Sequence, residues 1–141
     1  MAIVGEPGYI EVSSEWSGTI PANSTVTVGD IIWKKARKMW LRVRGEYNSS
    51  ATAGITIRIY LFETTNYIDT EPFIEINPTF RAGETVQETV CYDIPIHHNA
   101  RIKIINNDST YDVNVTLNVW FDPYDYSLLT QDIVCKWQTV S

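Results

Sequence analysis

The chain has 141 residues, 44% of them hydrophobic, and a formal net charge of −6. That length makes one ordinary domain able to bury about two thirds of its unfolded surface. Seven Gly and six Pro exclude a collagen-like repeat, and 12% aromatic residues exclude a chain too polar to fold. No stretch approaches the ~18 apolar residues of a membrane span. Met1-Ala2-Ile3-Val4-Gly5-Glu6-Pro7 lacks the basic and apolar regions of a signal peptide, so no leader is expected and synthesis in a reducing cytoplasm is.

In chain order, residues 1–8, with Gly5, Pro7 and Gly8, predict an irregular segment. Short alternating runs at 9–12, 16–20 and 25–28 predict strands, and Pro21-Ala22-Asn23-Ser24 predicts a hairpin turn between the last two. Residues 30–38 lack alternation and predict a short helical turn. Met39, Leu41 and Val43 alternate with Trp40, Arg42 and Arg44, a half-buried strand. Asn48-Ser49-Ser50 and Gly54 separate it from a second, in which Ile55, Ile57, Ile59 and Leu61 alternate with Thr56, Arg58, Tyr60 and Phe62.

Weaker strands follow at 73–76, 85–92 and 100–105. Asn106-Asn107-Asp108-Ser109 then makes a tight connection to the clearest run, Val113, Val115, Leu117, Val119 and Phe121. Pro123 breaks that run. The tail beyond keeps Leu128, Leu129, Ile133, Val134 and Trp137, with a last short strand at 133–137. So much apolar surface must dock, on its own sandwich or on a neighbouring subunit. The pattern predicts an all-β fold: an antiparallel β-sandwich or jelly roll of about eight to ten short strands. It divides into an N-terminal arm (1–15), a core (16–121) and a C-terminal arm (122–141).

No catalytic constellation emerges, and no enzyme activity is expected. The acids are scattered, with no pair nominated for glycoside hydrolysis. His97 and His98 are adjacent, so on a strand they point apart, and no metal-ligand spacing surrounds them. Asp122 and Asp125 sit in no EF-hand loop. Neither a nucleophile elbow nor a phosphate-cradling loop occurs. No cofactor or metal is expected. Cys91 and Cys135 are too few for a disulfide framework; two free thiols and one tail-pinning bridge both remain open. The Asn-x-Ser/Thr sequons, at Asn23, Asn48, Asn107 and Asn114, have no secretory signal to give them meaning.

Charge and aromatics point to interaction. Residues 34–44 carry Lys34, Lys35, Arg37, Lys38, Arg42 and Arg44 and no acid, on an otherwise acidic chain. Such a segment complements an acidic patch on a second copy or a partner. The sequence pI of 4.8 is opposite to a nucleic-acid-binding footprint, so no nucleic acid and no membrane are expected as partners. Trp40, Tyr60 and Trp120 each lie opposite their strand's aliphatic side. On neighbouring strands they would line one face, as a protein interface or as a platform for sugar rings or bases. The expected interface residues are Lys34, Lys35, Arg37, Lys38, Trp40, Arg42, Arg44, Tyr60, Trp120 and Trp137.

The segment Leu41-Arg42-Val43-Arg44-Gly45-Glu46-Tyr47-Asn48-Ser49-Ser50-Ala51-Thr52-Ala53-Gly54-Ile55-Thr56-Ile57 resembles a strand–turn–strand of small β-sandwich virion proteins of tailed bacteriophages. Thr70-Glu71-Pro72-Phe73, Ala82-Gly83-Glu84-Thr85 and the stretch 100–106 agree in order, and the likeness covers about residues 16–121. In size and arms the chain is similar to jelly-roll capsid decoration proteins. The resemblance implies a homotrimer on the capsid exterior that ties together copies of the major capsid protein, with no catalytic residues. Nine Asn and five Lys depart from the composition of a hot host's protein. A phage tail or fibre accessory module and a carbohydrate-binding module are the alternatives.

Overall fold

The computed structural model describes residues 2–4, 10–32, 36–63, 68–95, 99–123 and 134–138. At 2–4, 10–12, 36–37, 92–93, 95, 122–123 and 134 it describes the backbone alone. These residues form ten strands: β1 (Ala2–Val4), β2 (Ile10–Ile20), β3 (Thr25–Ile32), β4 (Ala36–Tyr47), β5 (Ile55–Phe62), β6 (Ile74–Ile76), β7 (Val86–Pro95), β8 (Asn99–Asn106), β9 (Val113–Pro123) and β10 (Val134–Trp137).

Two antiparallel sheets result, ordered β1-β2-β9-β4-β7 and β10-β3-β8-β5-β6. Successive strands change sheet at nearly every step, which wires the eight central strands as a jelly roll. Period-two alternation fills the space between the sheets. Met39, Leu41 and Val43 of β4, Ile55, Ile57 and Ile59 of β5, Ile102 and Ile104 of β8, and Val113, Val115, Leu117, Val119 and Phe121 of β9 are all buried.

Four expectations change. The turn at 21–24 is no hairpin: β2 and β3 belong to different sheets, so it is a corner between layers. Asn23 turns it with φ of 56°, a left-handed conformation that Asn tolerates. Described residues within 30–38 are strand, at the end of β3 and the start of β4; 33–35 lie outside the described residues. The first segment also contributes a strand, β1, paired to β2. The runs at 9–12 and 16–20 merge into β2, because Ser13, Ser14 and Glu15 stay in register with β9. The boundary between 15 and 16 therefore falls inside one strand.

One end of the sandwich is held by Asp108. Its side chain is buried. Oδ1 accepts N–H groups from Thr110 and Tyr111, each at 2.8 Å, and Oδ2 accepts from Thr52 at 2.7 Å and Ala53 at 3.3 Å. Its carbonyl accepts the Asn23 N–H at 2.8 Å. Asn106 beside it donates to the carbonyls of Ile20 (3.1 Å) and Tyr111 (2.8 Å). The β2–β3, β4–β5 and β8–β9 connections are thus tied together.

At one side of the sandwich the chain closes on itself. β10 pairs with β3, with Trp137 opposite Gly29. The Trp137 indole donates to Ser14 Oγ at 2.6 Å, and the Trp16 indole donates to the Gln138 carbonyl at 2.8 Å. That segment of the tail docks on its own sandwich. Gly29 permits the approach: a Cβ there would strike the Lys136 carbonyl and lie 2.8 Å from Trp137 Cε3.

The backbone N–H groups around Asp108, from Thr52, Tyr111 and Thr110 foremost, hold its pKa at about 2, below an ordinary Asp. The carboxylate therefore stabilises the fold above the unfolded pKa of about 4 and stops doing so as pH falls towards about 2. Asp108→Asn should lower the melting temperature at neutral pH and flatten its fall between those values, read by thermal melts across pH. Gly29→Ala should displace β10, raising amide hydrogen exchange at 134–138 while β4 and β9 stay protected.

Candidate interaction face

The outer side of the first sheet follows from its core side. With Met39, Leu41 and Val43 buried, Trp40, Arg42 and Arg44 turn outward on β4. With Val115, Leu117 and Val119 buried, Thr116, Asn118 and Trp120 turn outward on β9. Register sets them in rows. Trp40 stands directly opposite Trp120, which stands opposite Ser13. The next row is Glu15, Asn118, Arg42 and Val90, and the one after it Ser17, Thr116, Arg44 and Glu88. Directly opposed Cβ atoms lie about 4.5–5.5 Å apart. Two half-buried indoles therefore sit side by side, with guanidinium groups one and two rows away. The β4–β7 register shifts between Met39 and Leu41, so a bulge lies beside Trp40.

Arg42 is exposed and enters no ion pair or side-chain hydrogen bond among the described residues. Arg44 Nε is 3.9 Å from Glu88 Oε1 with both side chains about half exposed, a weak pair. Farther along, the face is short and polar. Ser17 and Thr116 hydroxyls are 3.2 Å apart, and Thr19 Oγ1 donates to Asn114 Oδ1 at 2.6 Å. With Glu46 they line an open, shallow depression of about 380 Å³. It lacks the enclosing apolar walls that bury a small molecule.

Tyr60 does not join this face. β5 belongs to the second sheet, so the three outward aromatics divide between two opposite sides. Tyr60 is 9% exposed, and Lys103 Nζ stands 5.1 Å from its ring centroid. Around it, Arg101 grips Asp30 with two hydrogen bonds of 2.7 and 2.9 Å, and Arg58 Nε donates to Glu75 Oε1 at 2.7 Å. Trp137 packs against the core from β10. Lys38, half-buried, shares the outer side with Trp40. Lys34 and Lys35 lie outside the described residues, as do the Arg37 side chain, His97, His98 and residues 124–133. The structure thus brings together Trp40, Arg42, Arg44 and Trp120 and leaves Tyr60 and Trp137 elsewhere.

Sequence reading missed the contribution of Ser13, Glu15, Ser17 and Thr19, because β2 was divided between an arm and a core. It also passed over Phe73, which is 46% exposed. Its signal is an aromatic residue directly after Glu71-Pro72, in a stretch with no base nearby.

The thiols are free and far apart: β7 carries Cys91 at one edge of the first sheet, and β10 carries Cys135 beside β2 at the other side. Burial pushes both thiol pKa values up, and a hydrogen bond with Ser14 offsets part of this at Cys135. Among the described residues, no group of three or more His, Cys, Asp or Glu is placed to hold a metal. No helix there is long and apolar enough to cross a membrane.

No model of a known protein family matches the chain, and no curated protein does. Solved structures with a similar fold include a mitogen derived from Yersinia pseudotuberculosis, at 16% identity and a TM-score of 0.49, over 87% of this chain and 94% of that one. A protein of Bacillus endospore appendages, a family of disulfide-linked pili, is similar at 10% identity and 0.42, over 80% and 88%. The viral capsid protein VP2 of infectious bursal disease virus is similar at 11% identity and 0.36; the match covers 86% of this chain and 40% of VP2.

Raised thiol pKa values make both cysteines slow nucleophiles at neutral pH. Thiol labelling followed by mass spectrometry should run slower in the folded than in the unfolded chain, and slower at Cys135 than at Cys91.

Proposed function

We propose that this chain is a structural virion protein, a decoration subunit that associates with copies of itself, as a trimer, and binds the major capsid protein on the outside of a phage capsid. It works without catalysis or cofactor. The observation that supports this most is the pairing of Trp40 with Trp120 beside Arg42 and Arg44 on an otherwise polar sheet face. Trp and Arg are enriched among the residues that carry most of the binding energy at protein interfaces, because they combine large apolar area with directed charge. The sequence resemblance over 16–121 supplies the capsid as the partner.

The mechanism is mass action with multivalency. Contacts made on the assembled shell and absent from separated capsomers shift the equilibrium towards the shell. A trimer repeats each contact three times, so avidity exceeds the affinity of one site.

Light scattering across a dilution series should give a mass about three times the chain's 16.1 kDa. Trp40→Ala and Trp120→Ala should each weaken self-association by at least about tenfold, and capsid binding with it through the lost avidity, while circular dichroism still shows a folded chain. Unchanged binding in both variants would overturn the assignment of this face. Retention of the wild-type protein on insoluble polysaccharide, without capsid binding, would establish the carbohydrate-binding module instead.

A further inference from the structure

The face just described has an aromatic and basic surface, and the same chain carries its counterpart. Among the described residues the exposed large apolar side chains are Phe73 (46%) and Val86 (45%). Phe73 stands immediately before β6, at the edge of the second sheet, where its N–H donates to the Ile59 carbonyl at 2.8 Å. Asp69 and Glu71 precede it. Both are exposed, and neither side chain enters an ion pair or hydrogen bond among the described residues. The Asp69 N–H donates to the Leu61 carbonyl at 3.1 Å, so this acidic turn is anchored on β5. Residues 63–80 carry Glu63, Asp69, Glu71 and Glu75 and no base, mirroring 34–44, which carry six bases and no acid.

We infer that Phe73 of one copy, flanked by Asp69 and Glu71, docks on the Trp40–Trp120 pair of a second copy, with the two carboxylates reaching Arg42 and Arg44. This rests on the reading of the first-sheet face as an interface and names its occupant. Two physical arguments favour a second copy. The charges are complementary and, among the described residues, unspent on both sides: Arg42 against Asp69 and Glu71, with Arg44 held only weakly by Glu88. The apolar parts also match, an exposed phenyl ring against two indoles, a geometry that rewards edge-to-face contact.

Trp40 lies near the start of β4 and the acidic turn follows β5, so both patches lie towards the end of the sandwich remote from Asp108. One is on the outer side of the first sheet and the other at the edge of the second. A head-to-tail contact between the two patches closes as a ring when successive rotations close, which is the arrangement the proposed trimer needs.

The test is self-association measured by analytical ultracentrifugation on three folded variants: Arg42→Glu with Arg44→Glu, Asp69→Lys with Glu71→Lys, and all four changes together. All four positions are exposed, and circular dichroism and thermal melts check that each variant folds. The expected result is at least about tenfold weaker association in each double variant and recovery to within about threefold of wild type when the charges are exchanged on both sides. Phe73→Ala should weaken association as well. If only the arginine variant dissociates, the face is an interface but the acidic turn is not its occupant, and this inference falls alone. If neither double variant dissociates, or the wild type is monomeric at all concentrations, the proposed self-association through this face falls with it.

Discussion

The carboxylate of Asp108 sits where three sheet-to-sheet connections converge, and its two oxygens take backbone N–H groups from both the 52–53 and the 110–111 segments. A jelly roll needs such a point. Its strands change layer at nearly every step, so the turns carry backbone groups that no ladder can satisfy. An ionised carboxylate offers about four lone-pair sites on two oxygens, where a neutral amide or hydroxyl oxygen offers two, and so serves donors from both segments at once. Asn106, two residues earlier, takes the complementary task and donates to carbonyls on the β2 and β9 sides. β4 ends at this corner, and β5 and β9 begin there.

Strand identity was legible wherever alternation was strong. The runs that became β4, β5 and β9 were placed on the correct faces, since Met39, Ile57 and Leu117 leave no doubt about which side is apolar. Topology was not legible. Pro21-Ala22-Asn23-Ser24 has the composition of a hairpin turn, and only the register of β2 with β9 and of β3 with β8 makes it a corner. The same gap divided the aromatics. Alternation correctly gave Trp40, Tyr60 and Trp120 as outward-facing, but the sheet assignment that separates Tyr60 from the two indoles depends on pairings some tens of residues apart. β1 escaped notice because Gly5, Pro7 and Gly8 follow it closely and three residues carry too little pattern.

The two outer faces differ in what they leave unspent. On the second sheet Asp30 is matched by Arg101, Glu75 by Arg58, and Lys103 lies over Tyr60. Pairs of this kind contribute little stability at a surface, yet they use up the charges and cover the aromatic ring. On the first sheet Ser17 and Thr19 of β2 pair with Thr116 and Asn114 of β9. What remains is aromatic area and, at Arg42, a guanidinium with no carboxylate partner among the described residues. A surface of that kind gains by meeting another protein, whereas the second face gains nothing by exchanging its existing partners for new ones.

The pairing of β2 with β9 has a kinetic meaning. Roughly a hundred residues separate Val12 from its partner Phe121, so the central ladder of the first sheet closes one of the longest loops the chain can make. A chain wired this way folds slowly, on the millisecond-to-second scale of non-local β topologies, and exposes unpaired strands meanwhile. Once closed, β9 is held on both sides, by β2 and by β4. The three- and four-residue strands β1, β6 and β10 sit at sheet edges and can open singly. In such an arrangement the centre holds one shape for long periods while the margins open and close.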